Sequence, residues 1–152
     1  MSENNTTVSK STINSALYGD IQPEPHQIYT FEQGIVGFSH LKQFALLPYD
    51  DTELFVLQSF SEDISLMLIP ATLAANSEGF RIDELTVQQL GVQEASEIVT
   101  FYILRFIDNE PYINLKAPIL LVPEQRNGCQ YVIMDDSVSV REPLVLAGDE
   151  SC

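Results

Sequence analysis

The sequence predicts a mainly β protein: a small antiparallel β-barrel-like domain with one or two short helices. Three observations carry that reading. Apolar runs are short and closely spaced, turn residues separate them, and only one stretch has helical spacing with a cap at each end. The chain of 152 residues fits one domain with room for a core.

The elements follow in order. Residues 1–26 read as a flexible polar tail, rich in Ser, Thr and Asn and closed by Pro23-Glu24-Pro25; such a stretch buries too little apolar surface to offset its ordering entropy. The folded domain then spans 27–146, and 147–152 form a short C-terminal tail. Residues 27–33 alternate as a half-buried strand with Tyr29 and Phe31 inward. Gly34 and Gly37 punctuate a turn, with Phe38 opening a short helical turn over 38–43. Residues 43–48 are a strand and 48–52 a turn. Strands over 54–60 and 64–69 are joined by Ser61-Glu62-Asp63 as a hairpin. A helix runs over 83–90, with Asp83 as cap, Leu85, Gln89 and Leu90 at helical spacing, and Gly91 as the stop.

Residues 98–106 form a long strand that is apolar on nearly both faces. One face must meet the core and the other needs a cover, from a helix or a partner. A turn at 108–111 leads to short strands at 112–115, 119–122, 130–134 and 139–141. The links at 123–128 and 135–137 are turn-like. So many short strands beside one short helix argue for a small antiparallel barrel or sandwich.

Charge is the strongest compositional signal. There are 22 acids against 7 bases, a formal net charge of −15. Phosphate backbones and anionic membranes repel such a chain, so neither direct nucleic-acid binding nor a membrane surface is expected. A basic protein partner is favoured, though the same charge also serves solubility. Apolar runs stop far short of the ~20 residues of a membrane helix, and the N-terminus lacks the pattern of a secretory signal. The expected location is the cytoplasm.

Catalytic constellations are sparse. The acid pairs Asp50-Asp51, Glu62-Asp63, Asp83-Glu84 and Asp135-Asp136 fall in turns or at a helix start. Adjacent carboxylates there are usually solvated, and no calcium-loop pattern surrounds them. His26 and His40 have no evident serine or cysteine to activate. Cys129 and Cys152 lack metal-ligand spacing, and Cys129 reads as a small core hydrophobe. No metal or cofactor is expected. Lys116 and Arg141 stand out among few bases, and each can satisfy a carboxylate across a strand pair. Asn114 can set a turn before Pro118 through its own backbone, and Pro118 belongs at a strand start or edge.

Three segments in order carry a resemblance. The first runs from Ile28 through Phe31, Gly34, Ile35, Gly37 and Phe38 to Leu41, Phe44 and Leu46. The second is Phe55-Val56-Leu57-Gln58-Ser59 with Glu62-Asp63. The third is Asn114-Leu115-Lys116-Ala117-Pro118-Ile119, then Gly128 and Gln130, then Arg141, Pro143 and Leu144. Over residues 27–144 the chain resembles the flagellar assembly factor FliW family. It departs from the family pattern at Ser65-Leu66, at Pro70 and at Glu78, and its tail before residue 27 is longer.

The resemblance implies a compact β-barrel-like fold with no enzyme activity. It implies two partners, flagellin and the basic RNA-binding translational regulator CsrA, whose repression of flagellin synthesis the factor relieves. The expected contact residues are Gln58, Ser59, Glu62 and Asp63, with Asp50, Asp51 and Glu53 as a neighbouring acidic patch. Gly34, Gly37, Phe38, Asn114, Pro118, Gln130 and Arg141 are expected to define the fold. Two rival classes are a general chaperone or scaffold with changed partners, and a diverged carboxylate- or metal-dependent hydrolase.

Overall fold

In a computed structural model, residues 13–15, 18–77 and 79–147 are described. The strands are β1 Ile13–Ser15, β2 Gly19–Ile21, β3 Ile28–Thr30, β4 Gln43–Pro48, β5 Phe55–Ser59, β6 Ser65–Pro70, β7 Val99–Ile107, β8 Glu110–Ile113, β9 Ile119–Val122, β10 Asn127–Gln130 and β11 Glu142–Pro143. Among the described residues one α-helix, α1 Glu84–Leu90, lies between β6 and β7.

Seven strands close a barrel in the order β7-β6-β5-β4-β3-β10-β9, with β9 pairing back onto β7. All these pairings are antiparallel except β10 with β3. Alternation in the strands fills the barrel from inside. Tyr29, Phe31, Phe44, Leu57, Leu68, Phe101, Ile119 and Leu121 form one buried cluster. Phe31 and Phe44 meet edge to face at 5.1 Å, and Phe55 meets Phe101 likewise at 5.6 Å. Each fully buried side chain of this size stabilises the fold by about 1.5–3 kcal/mol.

The outward faces of several strands are apolar too, and each has its own cover. Leu120 and Val122 of β9 lie under Leu90 and Val92, at and beyond the end of α1. Tyr102 and Leu104 of β7 pack with Ile113, Leu115 and Leu144. The long strand's second face is thus covered by β8 and the chain that follows. Ala45 and Leu47 of β4 lie under Ile13, Tyr18 and Ile21.

That last cover corrects the expected flexible tail. Within residues 1–26, β1 and β2 pair antiparallel, and Ile13 is 2% exposed. An apolar outer face on β4 needs something over it, and this hairpin supplies it. Residues 1–12, 16–17, Glu78 and 148–152, including Cys152, lie outside the described residues.

Local chemistry explains the turns. Asp83 accepts from the Thr86 amide at 2.8 Å, capping α1, and Gly91 ends it at φ 75°. Asp108 and Asn109 both adopt left-handed φ values, 53° and 67°, which match a two-residue hairpin between β7 and β8. Two strands are displaced from expectation. The strand expected at 130–134 is β10 at Asn127–Gln130, and the one expected at 139–141 is β11 at Glu142–Pro143. Gly128, at the end of the expected turn-like link 123–128, instead lies within β10 and lets that strand pass the Phe31 ring, where an added Cβ would sit 2.6 Å from Phe31 Cε1. Residues 38–43 form a turn rather than a helical one before β4 begins.

Candidate partner-binding surface

Gln130 ties the first and third sequence motifs together. Its Oε1 accepts from the Val36 amide at 2.8 Å, and its Nε2 donates to the Ala117 carbonyl at 3.1 Å. Asn114 Oδ1 accepts from the Lys116 and Ala117 amides at 3.0 and 3.1 Å, the turn its side chain was expected to set. Pro118 immediately precedes β9. Lys116 spends its ammonium on the carbonyls of Ile133 and Asp135, at 2.8 and 2.9 Å, and reaches Asp136 at 3.8 Å. It therefore holds down the segment after β10 rather than bridging strands.

Gln58 and Ser59 do not offer a contact surface, because both are fully buried. Gln58 Oε1 accepts from the hydroxyls of Ser15 and Ser65, and its Nε2 donates to the Ser59 carbonyl at 3.3 Å and to Asp63 Oδ1 at 3.5 Å. Ser59 Oγ accepts from the amides of Ser61 and Glu62. Both side chains shape the β5–β6 turn from beneath. They look like surface residues in sequence because they are polar; burial with partners is the other way to satisfy a polar group.

The acidic turns are exposed, but they are not neighbours. Asp50, Asp51 and Glu53 lie between β4 and β5, whereas Glu62 and Asp63 lie between β5 and β6. The five residues of β5 separate the two turns, about 15 Å by strand rise. Asp50 takes a left-handed φ of 49°. Burial pushes the Tyr18 phenol upward, and the Asp50 carboxylate beside it adds to that shift. Glu62 Oε2 lies 2.8 Å from His40 Nε2, and both side chains are largely solvated. No group of three or more His, Cys, Asp or Glu able to hold a metal ion occurs among the described residues.

A feature missed from sequence is a groove of about 530 Å³ beside β6 and β7, within the size range of ligand sites. β6 and β7 pair only over Leu68–Pro70 with Phe101–Ile103. Beyond that point β7 pairs with β8, and the ladder register of Ser65 and Leu66 is with β5 alone. Phe38, Leu66, Met67 and Ile107 give the groove an apolar lining, with Val36 and Val140 more than 60% exposed at its rim. Arg105 and Arg141 also line it, and no acid does. Neither guanidinium forms an ion pair with a carboxylate among the described residues. Arg141, expected to bridge a strand pair, faces this groove instead. The one signal in the sequence was Arg105, a lone charge inside the apolar run 98–107.

No helix among the described residues is long and apolar enough to cross a membrane. A sequence model of the family described as "FliW protein" matches residues 12–144. The flagellar assembly factor FliW of Caldicellulosiruptor bescii is 30% identical over 138 residues, covering 88% of this chain and 90% of that protein. That of Exiguobacterium sp. is 32% identical over 138 residues, covering 87% and 93%. A crystal structure of the flagellar assembly factor FliW superposes with a TM-score of 0.80 at 28% identity, covering 88% of this chain and 96% of that one. The family match begins at residue 12, so it takes in the β1–β2 hairpin as well as the barrel. With most of its length matched in sequence and in fold, this chain belongs to the FliW family of flagellar assembly factors.

Proposed function

We propose that this chain is a non-enzymatic, cytoplasmic assembly factor that binds flagellin and antagonises a basic CsrA-type RNA-binding regulator, coupling flagellin synthesis to its assembly. The observation that carries this reading is a division of the surface by charge. Acids crowd exposed turns at both ends of β5, while the groove beside β6 mixes apolar and uncharged polar walls and is lined by arginine alone among charged residues. Two unlike surfaces suit two unlike partners. The regulator is basic, so the acidic turns speed its encounter and raise its salt sensitivity. The groove offers flagellin apolar contact with no acid in its lining.

Of the expected contact residues, Asp50, Asp51, Glu53, Glu62 and Asp63 keep that role here. Gln58 and Ser59 support the β5–β6 turn from below. The experiment is calorimetric titration of the purified protein with flagellin monomer and, separately, with the regulator, each at two salt concentrations. The reading requires heat with both partners and a constant for the regulator that weakens with salt. Silence with both would sink it.

A further inference from the structure

We propose that the free backbone edge at Val132 and Met134, just beyond β10, takes an extended segment of the basic regulator as an added strand, with a lysine or arginine of that segment at Asp135 and Asp136. This rests on the regulator-binding reading above and specifies a site and a geometry for it.

The backbone direction comes first. The Tyr131 amide donates to the Pro118 carbonyl at 2.9 Å, and the Ile133 amide donates to the Lys116 carbonyl at 2.8 Å. The Lys116 ammonium adds bonds to the carbonyls of Ile133 and Asp135. Alternate residues thus bond to one side, the pattern of a strand paired along one edge. By that alternation the N–H and C=O groups of Val132 and Met134 point away from 116–118. Neither residue's backbone forms a hydrogen bond among the described residues. On that same side β10 meets β3 through Asn127 and Thr30 alone, so the neighbouring strand ends before Val132.

The side chains alternate as well. Tyr131 stacks on Phe80 with centroids 5.9 Å apart, and Ile133 lines a cleft with Tyr102 and Leu115. Val132 and Met134 lie on the opposite face, 42% and 85% exposed. An edge of this kind is normally blunted by a Lys, a Pro, a bulge or a covering loop. Gln130-Tyr131-Val132-Ile133-Met134 holds neither Lys nor Pro, and it is the segment whose sequence alone predicts a strand. Strand addition draws its affinity from main-chain hydrogen bonds and its selectivity from the side chains beside them.

Charge selects the occupant. Asp135 and Asp136 follow Met134 directly, and both are exposed. Glu142 lines the same cleft of about 410 Å³ as Asp135. Lys116 reaches Asp136 at 3.8 Å, but its ammonium already serves two carbonyls. The edge therefore ends in excess negative charge, which favours a strand carrying a base there. A second copy of this chain would bring the same acids and another formal charge of −15. So short an edge also falls far below the roughly 800 Å² per partner of a stable protein interface.

The site is continuous with the acidic β5–β6 turn. The Val36 amide bonds Gln130 Oε1 at 2.8 Å, and His40, four residues on, lies 2.8 Å from Glu62. Residues 36–40 thus join the end of β10 to Glu62 and Asp63, and one partner spans both.

The test uses the full chain, with the regulator as the probe. Amide hydrogen exchange is followed with and without it, and affinity is compared among wild type, V132P, D136K and D20K. Proline at 132 removes an N–H that the fold itself does not use. D20K makes the same charge change on β2, away from the edge. The expected result is at least about tenfold slower exchange at the Val132 and Met134 amides on binding. V132P should weaken binding about tenfold or more and D136K about fivefold or more, with D20K within about threefold of wild type. Regulator binding without protection of these amides, and at wild-type affinity in V132P, would overturn the site while regulator binding stood. Protection by flagellin in place of the regulator, or by the protein's own rising concentration, would overturn it too. No binding of the regulator to the wild type would remove both readings. The exchange measurement uses wild-type protein, so the test survives a variant that fails to fold.

Discussion

The Ser15 hydroxyl donates to Gln58 Oε1 at 2.9 Å, joining residues 43 positions apart. This bond and the burial of Ile13 against Ala45 and Leu47 dock the β1–β2 hairpin on the barrel wall. It also explains a fully buried glutamine: Gln58 is an internal clamp for the hairpin, for Ser65 and for the turn at Asp63.

Gln58→Ala should therefore act on stability. It leaves the Ser15 and Ser65 hydroxyls without their acceptor and opens a cavity, at a cost of about 2–4 kcal/mol. Ser15→Ala should cost about 1–3 kcal/mol, since it removes both the bond to Gln58 and the one that Ser15 Oγ accepts from the Tyr18 amide. Urea unfolding reads both. Partner affinity of the folded fraction should stay at the wild-type value, and a selective loss of affinity without loss of stability would restore Gln58 as a contact residue.

Gly34 and Gly37 share one turn but differ in what surrounds them. At Gly34, φ is +66° and an added Cβ would lie 2.6 Å from the Phe38 carbonyl oxygen and from Ser39 Cα. At Gly37, φ is +86° and nothing lies within 4 Å. Gly37→Ala should cost about 1–2 kcal/mol of backbone strain. Gly34→Ala should cost at least about 1 kcal/mol more, because backbone must move to admit the methyl group. Equal urea midpoints for the two variants would contradict the packing described here.

The cap of α1 should titrate. Hydrogen bonds from Thr86 hold the Asp83 carboxyl below the ordinary carboxylate range. A lowered folded value means the cap contributes fully above that ordinary range and is lost as pH falls through the folded value. NMR shifts of the α1 amides should follow this acid titration in the wild type. Asp83→Asn should keep the helix and abolish the titration, whereas Asp83→Ala should fray the first turn at every pH.

Cys129 should be slow to react. Burial pushes its thiol up to about 11, and the Asp83 carboxylate adds to the shift. In the unfolded chain the thiol ionises nearer 8.5. Between those values the native state holds the extra proton, so stability falls as pH rises from about 9 to about 11. In a Cys152→Ser background, an aromatic disulfide reagent at pH 8 should label the folded protein far more slowly than the urea-unfolded chain. Equal rates would place Cys129 at the surface.

The two acidic turns should act separately. About 15 Å of β5 lies between them, against a screening length of about 8 Å at physiological salt. Charge reversal at Asp50, Asp51 and Glu53 should slow association with the basic regulator, and so should reversal at Glu62 and Asp63. Stopped-flow rates should show the two effects adding on a logarithmic scale. Strong non-additivity would mean one continuous patch.

The parts of this fold that were legible in sequence rest on local chemistry. Tyr29 and Phe31 alternate inward, Gln43–Pro48 reads as a strand, and Asp83 and Gly91 bound the helix, all from short-range pattern. What escaped depends on distant pairing. The polar composition before residue 27 hides Ile13, whose burial follows from the outer face of β4. Gly128 reads as a turn until Phe31 is known to lie beside it. Glu53 and Glu62 are close in sequence, yet β5 sets them at opposite ends of a strand. The groove exists because β7 changes partner from β6 to β8 midway, a matter of register that no local motif encodes.

In the function proposed above, the exposed acidic turns of this barrel hold a basic regulator. Calorimetric titration of the CsrA-type regulator into the wild type and into the variant with Asp50, Asp51 and Glu53 changed to lysine, each at low and high salt, tests it most directly. The wild-type constant should weaken steeply with salt, and the variant should bind at least tenfold more weakly at low salt with a shallower salt slope. A wild type that gives no heat, or a variant that matches it in both affinity and salt slope, would show that these turns do not hold the regulator.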